Sequence, residues 1–226
     1  ADNEGVPAWA MLEYAAQLMD LPHNVPVKEF PDMQMMRVGR MKTTKTKYVH
    51  DLFFPRSIHV LSRYFEKVNS ISDEGAKKAL KIIAQHQFVN ASVMNRYRPA
   101  SSFGNSPLTG VYYVSSLVAE ANVIKLLRGS INRIKRMERS GWSKSRDWGK
   151  NVIISTGSST SQPKIRDNSI DYIFTDPPFG ENIYYSDLNF LGESWHGVIS
   201  DSGPEAIIDR VKKKSVTEYR SLMFQS

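Results

Sequence analysis

The chain contains no cysteine among its 226 residues. A thiolate nucleophile and a zinc site built on cysteines are therefore both excluded. The absence also fits a reducing compartment, so we expect the protein in the cytoplasm. No run of about 18 apolar residues occurs, so no helix across a membrane is expected. The opening residues carry neither the basic nor the apolar pattern of a secretory signal.

Acidic residues are outnumbered by basic ones, with 23 Asp and Glu against 30 Lys and Arg, and the formal charge is +7. Such a balance favours anionic partners, nucleic acid first. The excess is concentrated between positions 125 and 150, which hold nine basic and two acidic residues. A solvated surface and a phosphate-binding surface both fit this pattern. The candidate contacts to a nucleic-acid backbone are Arg128, Arg133, Lys135 and Arg136.

The first two thirds of the chain show mainly helical periodicity. Apolar residues at helical spacing predict helices over 8–19, 55–68 and 117–139. Pro55 suits the first position of the second helix, and Asp73 suits the cap of a further helix that follows it. The helix over 117–139 carries its basic residues opposite its apolar stripe.

Two short apolar runs in the last third predict buried strands, over 151–155 and 170–174. A polar loop separates them, as expected for neighbouring strands of an α/β sheet. A helix is expected over 186–198. Pro204 is expected to begin a short helix that ends near residue 213, and Thr217 another that runs to the end of the sequence.

The six residues Thr175–Gly180, with the sequence Thr-Asp-Pro-Pro-Phe-Gly, follow the second apolar run. The prolines fix φ, so the local carbonyls lie on a stiff backbone. A carboxylate and rigid carbonyls can accept hydrogen bonds from an exocyclic amino group, and a phenyl face can stack on a flat base. The alternative is that these six residues form an ordinary tight turn after a strand.

The Asp-Pro-Pro-Phe motif resembles the catalytic motif of the amino-group DNA methyltransferases, which use S-adenosylmethionine to methylate adenine N6 or cytosine N4. The resemblance continues through Gly180–Phe190, and His50–Arg56 is also similar to DNA methylases. It implies S-adenosylmethionine as cofactor, DNA as partner and no metal. Asp at the first motif position implies adenine N6. Methylation at cytosine C5 needs a thiolate, which this chain lacks.

The resemblance also assigns roles to particular residues. Asp176 and the carbonyl of Pro177 would accept the two amino hydrogens of an extruded base, on a corner stiffened by Pro178. Phe179 would stack on that base. The residues expected to line the base pocket are Asn182, Tyr184 and Tyr185. A loop that only packs on the domain is the alternative for these three.

The implied fold is α/β, a partial Rossmann-like class I methyltransferase sheet with a largely helical N-terminal portion. Residues 1–50 would form an irregular and helical segment, 51–150 a mainly helical region with a basic face, and 151–226 the part of the α/β core that carries the motif. No apolar strand is followed by Gly-x-Gly, so no cofactor-binding residue is assigned. We expect a fragment of a longer methylase that is inactive by itself; the alternative is a distant variant with another cofactor site.

Two other functions fit the same residues. An RNA methyltransferase acting on guanine N2 or adenine would use the same chemistry. A nucleic-acid-binding module without catalysis would need only the basic helix. The sequence predicts neither a target sequence, nor partner subunits, nor a place in a restriction-modification system.

Overall fold

The computed structural model describes residues 8–37, 39–98, 107–108, 110–140, 151–154 and 157–226. Helices supply the regular structure in these ranges. Two single-turn 3₁₀ helices, Gly39–Lys42 and Val49–Leu52, lie between the second and third α-helices. The α-helices are α1 Ala8–Gln17, α2 Gln34–Arg37, α3 Pro55–Asn69, α4 Glu74–Gln85, α5 Val123–Arg139, α6 Tyr185–His196 and α7 Val216–Gln225.

The beginnings of α3 and α4 confirm the sequence prediction. Pro55 occupies the first helical position of α3, where its missing N–H leaves no hydrogen bond unmade. Asp73 caps α4, since its carboxylate accepts a 2.7 Å hydrogen bond from the backbone N–H of Ala76. The apolar face of α3, which includes Leu61 and Phe65, is buried.

Helix α5 begins at Val123, later than the predicted start at residue 117. The side chain of Asn122 accepts a 3.0 Å hydrogen bond from the backbone N–H of Lys125 and so fixes the helix start. Before it, the backbone of Asn122 is extended, and Val118 forms an isolated bridge with Arg96. A local cap and a distant pairing thus shorten the helix that periodicity alone predicts.

The predicted α/β sheet is wrong. The residues that the structure describes contain no strand, so the Rossmann-like class I methyltransferase sheet is not seen. Backbone pairing of the β type is limited there to isolated bridges, which join Glu29 to Tyr48, Phe53 to Ser92, Arg96 to Val118 and Asp209 to Lys214. The described fold is instead an assembly of helices and irregular segments around one core.

Neither apolar run that predicted a strand forms one. Ile153 is 97% exposed and Phe174 is 85% exposed; Ser155 lies outside the described residues. A strand exists only where a second strand supplies hydrogen-bond partners. The backbone of residues 170–177 makes no hydrogen bond to any other described residue. Their β-branched and aromatic composition indicates a preference for pairing but does not supply the partner.

The chain after the motif is helical at two places. Helix α6 closely matches the helix predicted over 186–198, and it ends at Gly197, whose φ of 72° lies in the left-handed region that favours glycine. The helix predicted from Pro204 is wrong, because the backbones of Asp209 and Lys214 pair at 2.8 and 2.9 Å and close a turn. Helix α7 follows, with a capping box at its start.

The core is centred on the indole of Trp195 in α6. It stacks on Phe65 of α3 at 5.1 Å and on Phe88 at 5.4 Å, and it meets Phe53 edge-on at 5.8 Å. Aromatic pairs at these separations add to the stability that burial provides. Because α6 begins only a few residues after the motif, this cluster fixes the C-terminal side of the motif relative to α3.

Candidate functional site

The residues Asp176–Gly180, which we call the motif corner, turn the chain sharply before α6. The backbone N–H of Asn182 donates to the carbonyl of Phe179 at 3.1 Å. Gly180 has a φ of 59°, a conformation that side chains disfavour. Its carbonyl accepts a 3.1 Å hydrogen bond from the backbone N–H of Ile208. The turn is therefore held both locally and by a segment that lies farther along the chain.

A third hydrogen bond holds the corner from α7. The hydroxyl of Tyr219 donates to the carbonyl of Pro178 at 2.8 Å, and the bond is half-buried. Since Phe179 and Gly180 also have engaged carbonyls, three consecutive carbonyls of the corner are hydrogen-bonded. Fixed φ angles at the two prolines add to this constraint.

Two acceptors at the start of the corner remain available. Asp176 is exposed, and its carboxylate makes no hydrogen bond or ion pair within the described part of the chain. The carbonyl of Pro177 has no hydrogen-bond donor among the described residues either. A carboxylate and a carbonyl on adjacent residues of a stiff backbone can together accept two hydrogens.

The ring of Phe179 is 69% exposed, although it follows two half-buried prolines. Exposed aromatic faces beside hydrogen-bond acceptors are suited to stacking on a planar base. The structure thus places an open ring three residues after an open carboxylate.

The three predicted base-pocket residues have different surroundings. Asn182 and Tyr185 are exposed and lie directly after the corner. Tyr184 instead belongs to the hydrophobic core. Burial, with the nearby Glu181 carboxylate, raises the pKa of the Tyr184 hydroxyl. The structure brings Asn182 and Tyr185 to the surface with the motif and directs Tyr184 away from it.

A buried ionic network anchors the start of α6. The Lys212 ammonium donates to Asp187 at 3.1 Å and to the Ser186 hydroxyl at 2.7 Å. The Glu205 carboxylate accepts from the backbone N–H of Ser186 at 3.0 Å. The second oxygen of Asp187 accepts from the backbone N–H of Met35 in α2 at 3.2 Å. The network joins α6, the segment before α7 and α2.

Asp209 adds a second buried carboxylate to this network. It is fully buried and lies 3.6 Å from the Lys212 ammonium. One of its oxygens accepts from the backbone N–H groups of Val211 and Lys212 at 2.8 and 3.1 Å, and the other has no hydrogen-bond donor. Among the described residues, Lys212 is the cation that lies within 4 Å of both nearly inaccessible carboxylates, which makes it central to the local fold.

A shallow cavity of about 460 Å³ lies beside the corner. The ammonium of Lys214 at its edge donates to the carbonyls of Ser202, Gly203 and Glu205 at 2.7 to 2.8 Å. Burial lowers the pKa of Lys214. The residues that line the cavity are Glu181, Ile208, Arg210, Lys213, Lys214, Ser215 and Val216.

The predicted backbone contacts all lie on α5. Arg128, Arg133, Lys135 and Arg136 are exposed, and none forms an ion pair with a described acidic residue. The opposite face of the helix is buried, and Ser130 on that face accepts a 3.0 Å hydrogen bond from the Gln87 amide. Helix α5 is thus packed on one side and cationic on the other.

The segment His50–Arg56 has a structural role in the described fold. Arg56 forms an ion pair with Glu120, and a second one with Glu13 of α1 at 3.5 Å. Phe53 is buried in the core. Arg56 therefore joins α1 and the segment before α5 to α3.

The described residues do not fit S-adenosylmethionine in the manner that the resemblance implies. That family is expected to hold the cofactor at a glycine turn after a strand, and no described strand precedes a glycine. The described glycines with positive φ are Gly110, Gly180 and Gly197, which lie in a loop, in the corner and at a helix end. None of the three offers the expected turn.

Comparisons with protein families, with curated proteins and with solved structures found no match. Within the described ranges no group of three or more His, Asp or Glu side chains could hold a metal ion. No helix there is both long and apolar enough to cross a membrane.

Sequence reasoning missed the residues that hold the corner. Tyr219 and Ile208 lie far from the motif in sequence, and no local pattern marks them. Asp187 lies within the stretch that resembles the methyltransferases, but its burial and its pairing with Lys212 depend on tertiary structure. A charged residue on the inner face of a predicted helix was the available signal.

Proposed function

We propose that this chain holds the exocyclic amino group of a DNA base, adenine N6 first, for methylation. The observation that carries the proposal is the pair of open groups on the motif corner. The Asp176 carboxylate has no partner among the described residues, and the Phe179 ring is exposed on the same short segment.

The free and engaged acceptors of the corner support this role. The carbonyls of residues 178–180 are already hydrogen-bonded. Asp176 and the carbonyl of Pro177 are then the acceptors left for an amino group with two hydrogens. Phe179 would stack on the base after its extrusion from the duplex. Two hydrogen bonds and one ring contact define the plane and orientation of the base.

The same contacts favour reaction at nitrogen. Hydrogen bonds from both amino hydrogens draw the nitrogen toward tetrahedral geometry and free its lone pair from the ring. As the nitrogen forms its bond to the methyl group and the bond between that group and its donor breaks, the nitrogen becomes cationic and both hydrogen bonds strengthen. The displaced proton can pass to the exposed Asp176 carboxylate and then to water. Because the described residues do not fit S-adenosylmethionine, the proposal concerns how the base is held and not how the methyl donor is bound.

Methyl transfer by the full-length protein tests the proposal directly. Tritiated methyl incorporation into DNA from S-adenosylmethionine should fall at least about a hundredfold in Asp176→Ala, because a preorganised acceptor is lost. Asp171→Ala removes an exposed carboxylate five residues earlier and is the matched control. Equal turnover in both variants and the parent protein would exclude Asp176 from catalysis.

Base stacking can be measured without turnover. A 2-aminopurine in a mismatched pair of a duplex needs less energy for extrusion than a paired base. Stacking of the extruded 2-aminopurine on Phe179 should change the fluorescence of that base. Phe179→Ala should weaken binding by about 1–3 kcal/mol, the range found for base–aromatic stacking. Phe224 is 95% exposed, so Phe224→Ala is the control for loss of a surface ring. The same response in both variants would contradict the proposal.

RNA is the alternative substrate, since guanine N2 and adenine N6 in RNA present the same amino group. The corner contacts only the base in this proposal, so it does not select the sugar. Parallel methyl incorporation into DNA and RNA of one sequence distinguishes the two substrates. Preferential incorporation into RNA would overturn the DNA assignment and leave the role of Asp176 intact.

A nucleic-acid-binding module without catalysis is the second candidate. Two observations favour it: no described strand is followed by the glycine turn expected for the cofactor, and the basic residues of α5 form no ion pair with a described carboxylate. It requires salt-dependent DNA binding by the full-length protein with no methyl transfer on any substrate. Measurable transfer that depends on Asp176 would exclude it.

A further inference from the structure

Five exposed positions of α5 lie along one line on the helix surface. Their spacing of four, three, four and three residues places them on one side of the helix, away from buried Val123 and Leu127. We call this line the α5 stripe; its members are Lys125, Gly129, Asn132, Arg136 and Arg139.

All members of the α5 stripe except Lys125 line a shallow groove on the surface of α5. The groove has a volume of about 540 Å³ and is lined by Gly129, Asn132, Lys135, Arg136 and Arg139. Three of these five residues are cationic, and Asn132 adds an amide that can donate hydrogen bonds. The groove is therefore open and positively charged.

Gly129 is unusual for its position. It lies well inside a 17-residue helix, where glycine is less stable than alanine. A Cβ atom added there would meet no heavy atom within 4 Å among the described residues. Packing inside the described fold thus does not require a glycine at this position. The added methyl group would instead project into the groove.

The charge of α5 lacks a partner in the described fold. The helix contains six Lys and Arg residues against one acid, Glu138, which gives 6 − 1 = +5. None of the six forms an ion pair with a described carboxylate. Some basic residues elsewhere in the described fold, such as Arg56 and Lys212, are paired, while others, such as Lys67, are not. An anionic partner outside the described fold would complement this surface.

We propose that the α5 groove binds the phosphodiester backbone of duplex DNA, and that Gly129 allows that backbone to approach the helix closely. From residue 125 to residue 139 the stripe extends about 21 Å at 1.5 Å per residue. Guanidinium groups bind phosphate in a bidentate manner, so Arg136 and Arg139 supply the main contacts. The choice of DNA as partner rests on the proposed function.

Removing the two arginines tests the charge contacts. Fluorescence anisotropy of a labelled 20-base-pair duplex, titrated at several salt concentrations, gives affinity and its salt slope. In the full chain, Arg136→Ala with Arg139→Ala should weaken binding about tenfold and reduce the slope by about 1.8, at 0.9 per phosphate contact. The matched control is Lys67→Ala with Lys78→Ala, which removes two exposed charges from α3 and α4. Equal losses in both double variants would overturn the groove as the binding surface.

Gly129→Ala separates binding from folding. Because alanine is the better helix former, the variant should melt at a higher temperature than the parent chain. Its affinity for the duplex should nevertheless fall severalfold, since the methyl group occupies the groove. A more stable variant with unchanged affinity would overturn the close approach at Gly129.

Failure of this inference is distinguishable from failure of the proposed function. Asp176→Ala should leave the salt slope of duplex binding unchanged, whereas the double arginine variant should reduce it by about 1.8. If Phe179→Ala leaves base stacking unchanged while the double arginine variant weakens duplex binding as expected, only the base-holding role of the corner is overturned. Tighter binding of a duplex RNA of the same length would overturn DNA as the occupant of the groove.

Discussion

The Tyr219 hydroxyl donates a 2.8 Å hydrogen bond to the carbonyl of Pro178, across 41 residues of sequence. The backbone N–H of Ile208 donates to the carbonyl of Gly180 in the same corner. These two hydrogen bonds connect the corner to the last part of the described fold. The position of Asp176 and Phe179 thus depends on α7 as well as on the local proline geometry.

Tyr219→Phe should loosen the motif corner without creating a large cavity. Loss of one half-buried hydrogen bond should cost about 0.5–1.5 kcal/mol of unfolding free energy, measured by urea denaturation. If the corner holds the base, kcat for methyl transfer by the full-length protein should fall more than KM changes, because orientation is lost. Tyr172 is exposed, so Tyr172→Phe is the matched control. Equal kinetics for both variants would show that the corner is rigid without Tyr219.

Local signals in the sequence predict the helices well. Pro55 and Asp73 have the expected positions at helix starts because capping depends on a few neighbouring residues. The strands predicted over 151–155 and 170–174 are not seen in the described residues 151–154 and 170–174, because a strand depends on a distant partner. Ile173 and Phe174 have the composition of a buried strand, yet both are exposed.

The candidate site was predictable only in part. The chemical character of Asp176 and Phe179 follows from their residue types beside two prolines, and both side chains are exposed. Tyr184 looked equally suitable for a base pocket, but its side chain lies in the core. The direction of a side chain at a helix start depends on how that helix packs, which a short motif does not encode.

Phe88→Ala should destabilise the fold strongly. The ring is only 1% exposed and packs against Phe65, Phe53 and Trp195. Truncation leaves a cavity in the aromatic cluster and should cost about 3–5 kcal/mol of unfolding free energy. Phe224→Ala is the matched control, since that ring is almost fully exposed. Urea or thermal denaturation checks both, and a loss below about 1 kcal/mol for Phe88→Ala would contradict the described core.

Lys212→Met should also destabilise the fold, through charge rather than volume. The substitution leaves Asp187 and Asp209 buried without their cation. Breaking a buried pair on one side costs about 3–5 kcal/mol, and the partial exposure of Lys212 places the expected loss near the lower end. The exposed neighbour Lys213 supplies the control, Lys213→Met, which should change stability by less than about 0.5 kcal/mol. Equal denaturation midpoints for the two variants would rule out the network as a stabilising element.

His196 should make stability depend on pH near neutrality. Its ring lies near Phe65, bonds to the Gln85 side chain at 2.9 Å, and has a pKa lowered from 6.5, by burial first and then by the Lys81 charge. A histidine with a lowered folded pKa binds its proton more readily in the unfolded chain. The contribution of His196 to the free energy of unfolding is therefore complete above pH 6.5, the ordinary pKa of histidine, and is lost as the pH falls through the lower pKa of the folded state.

His196→Gln isolates that contribution. Urea midpoints measured between about pH 8 and pH 5 should fall less steeply for this variant than for the parent chain, because one titrating group is removed. Gln keeps a polar side chain that can still bond to Gln85. The control is His23→Gln at an exposed position, whose midpoints should follow those of the parent chain. A steeper decline in His196→Gln than in the parent would reverse the sign and exclude a lowered pKa at this site.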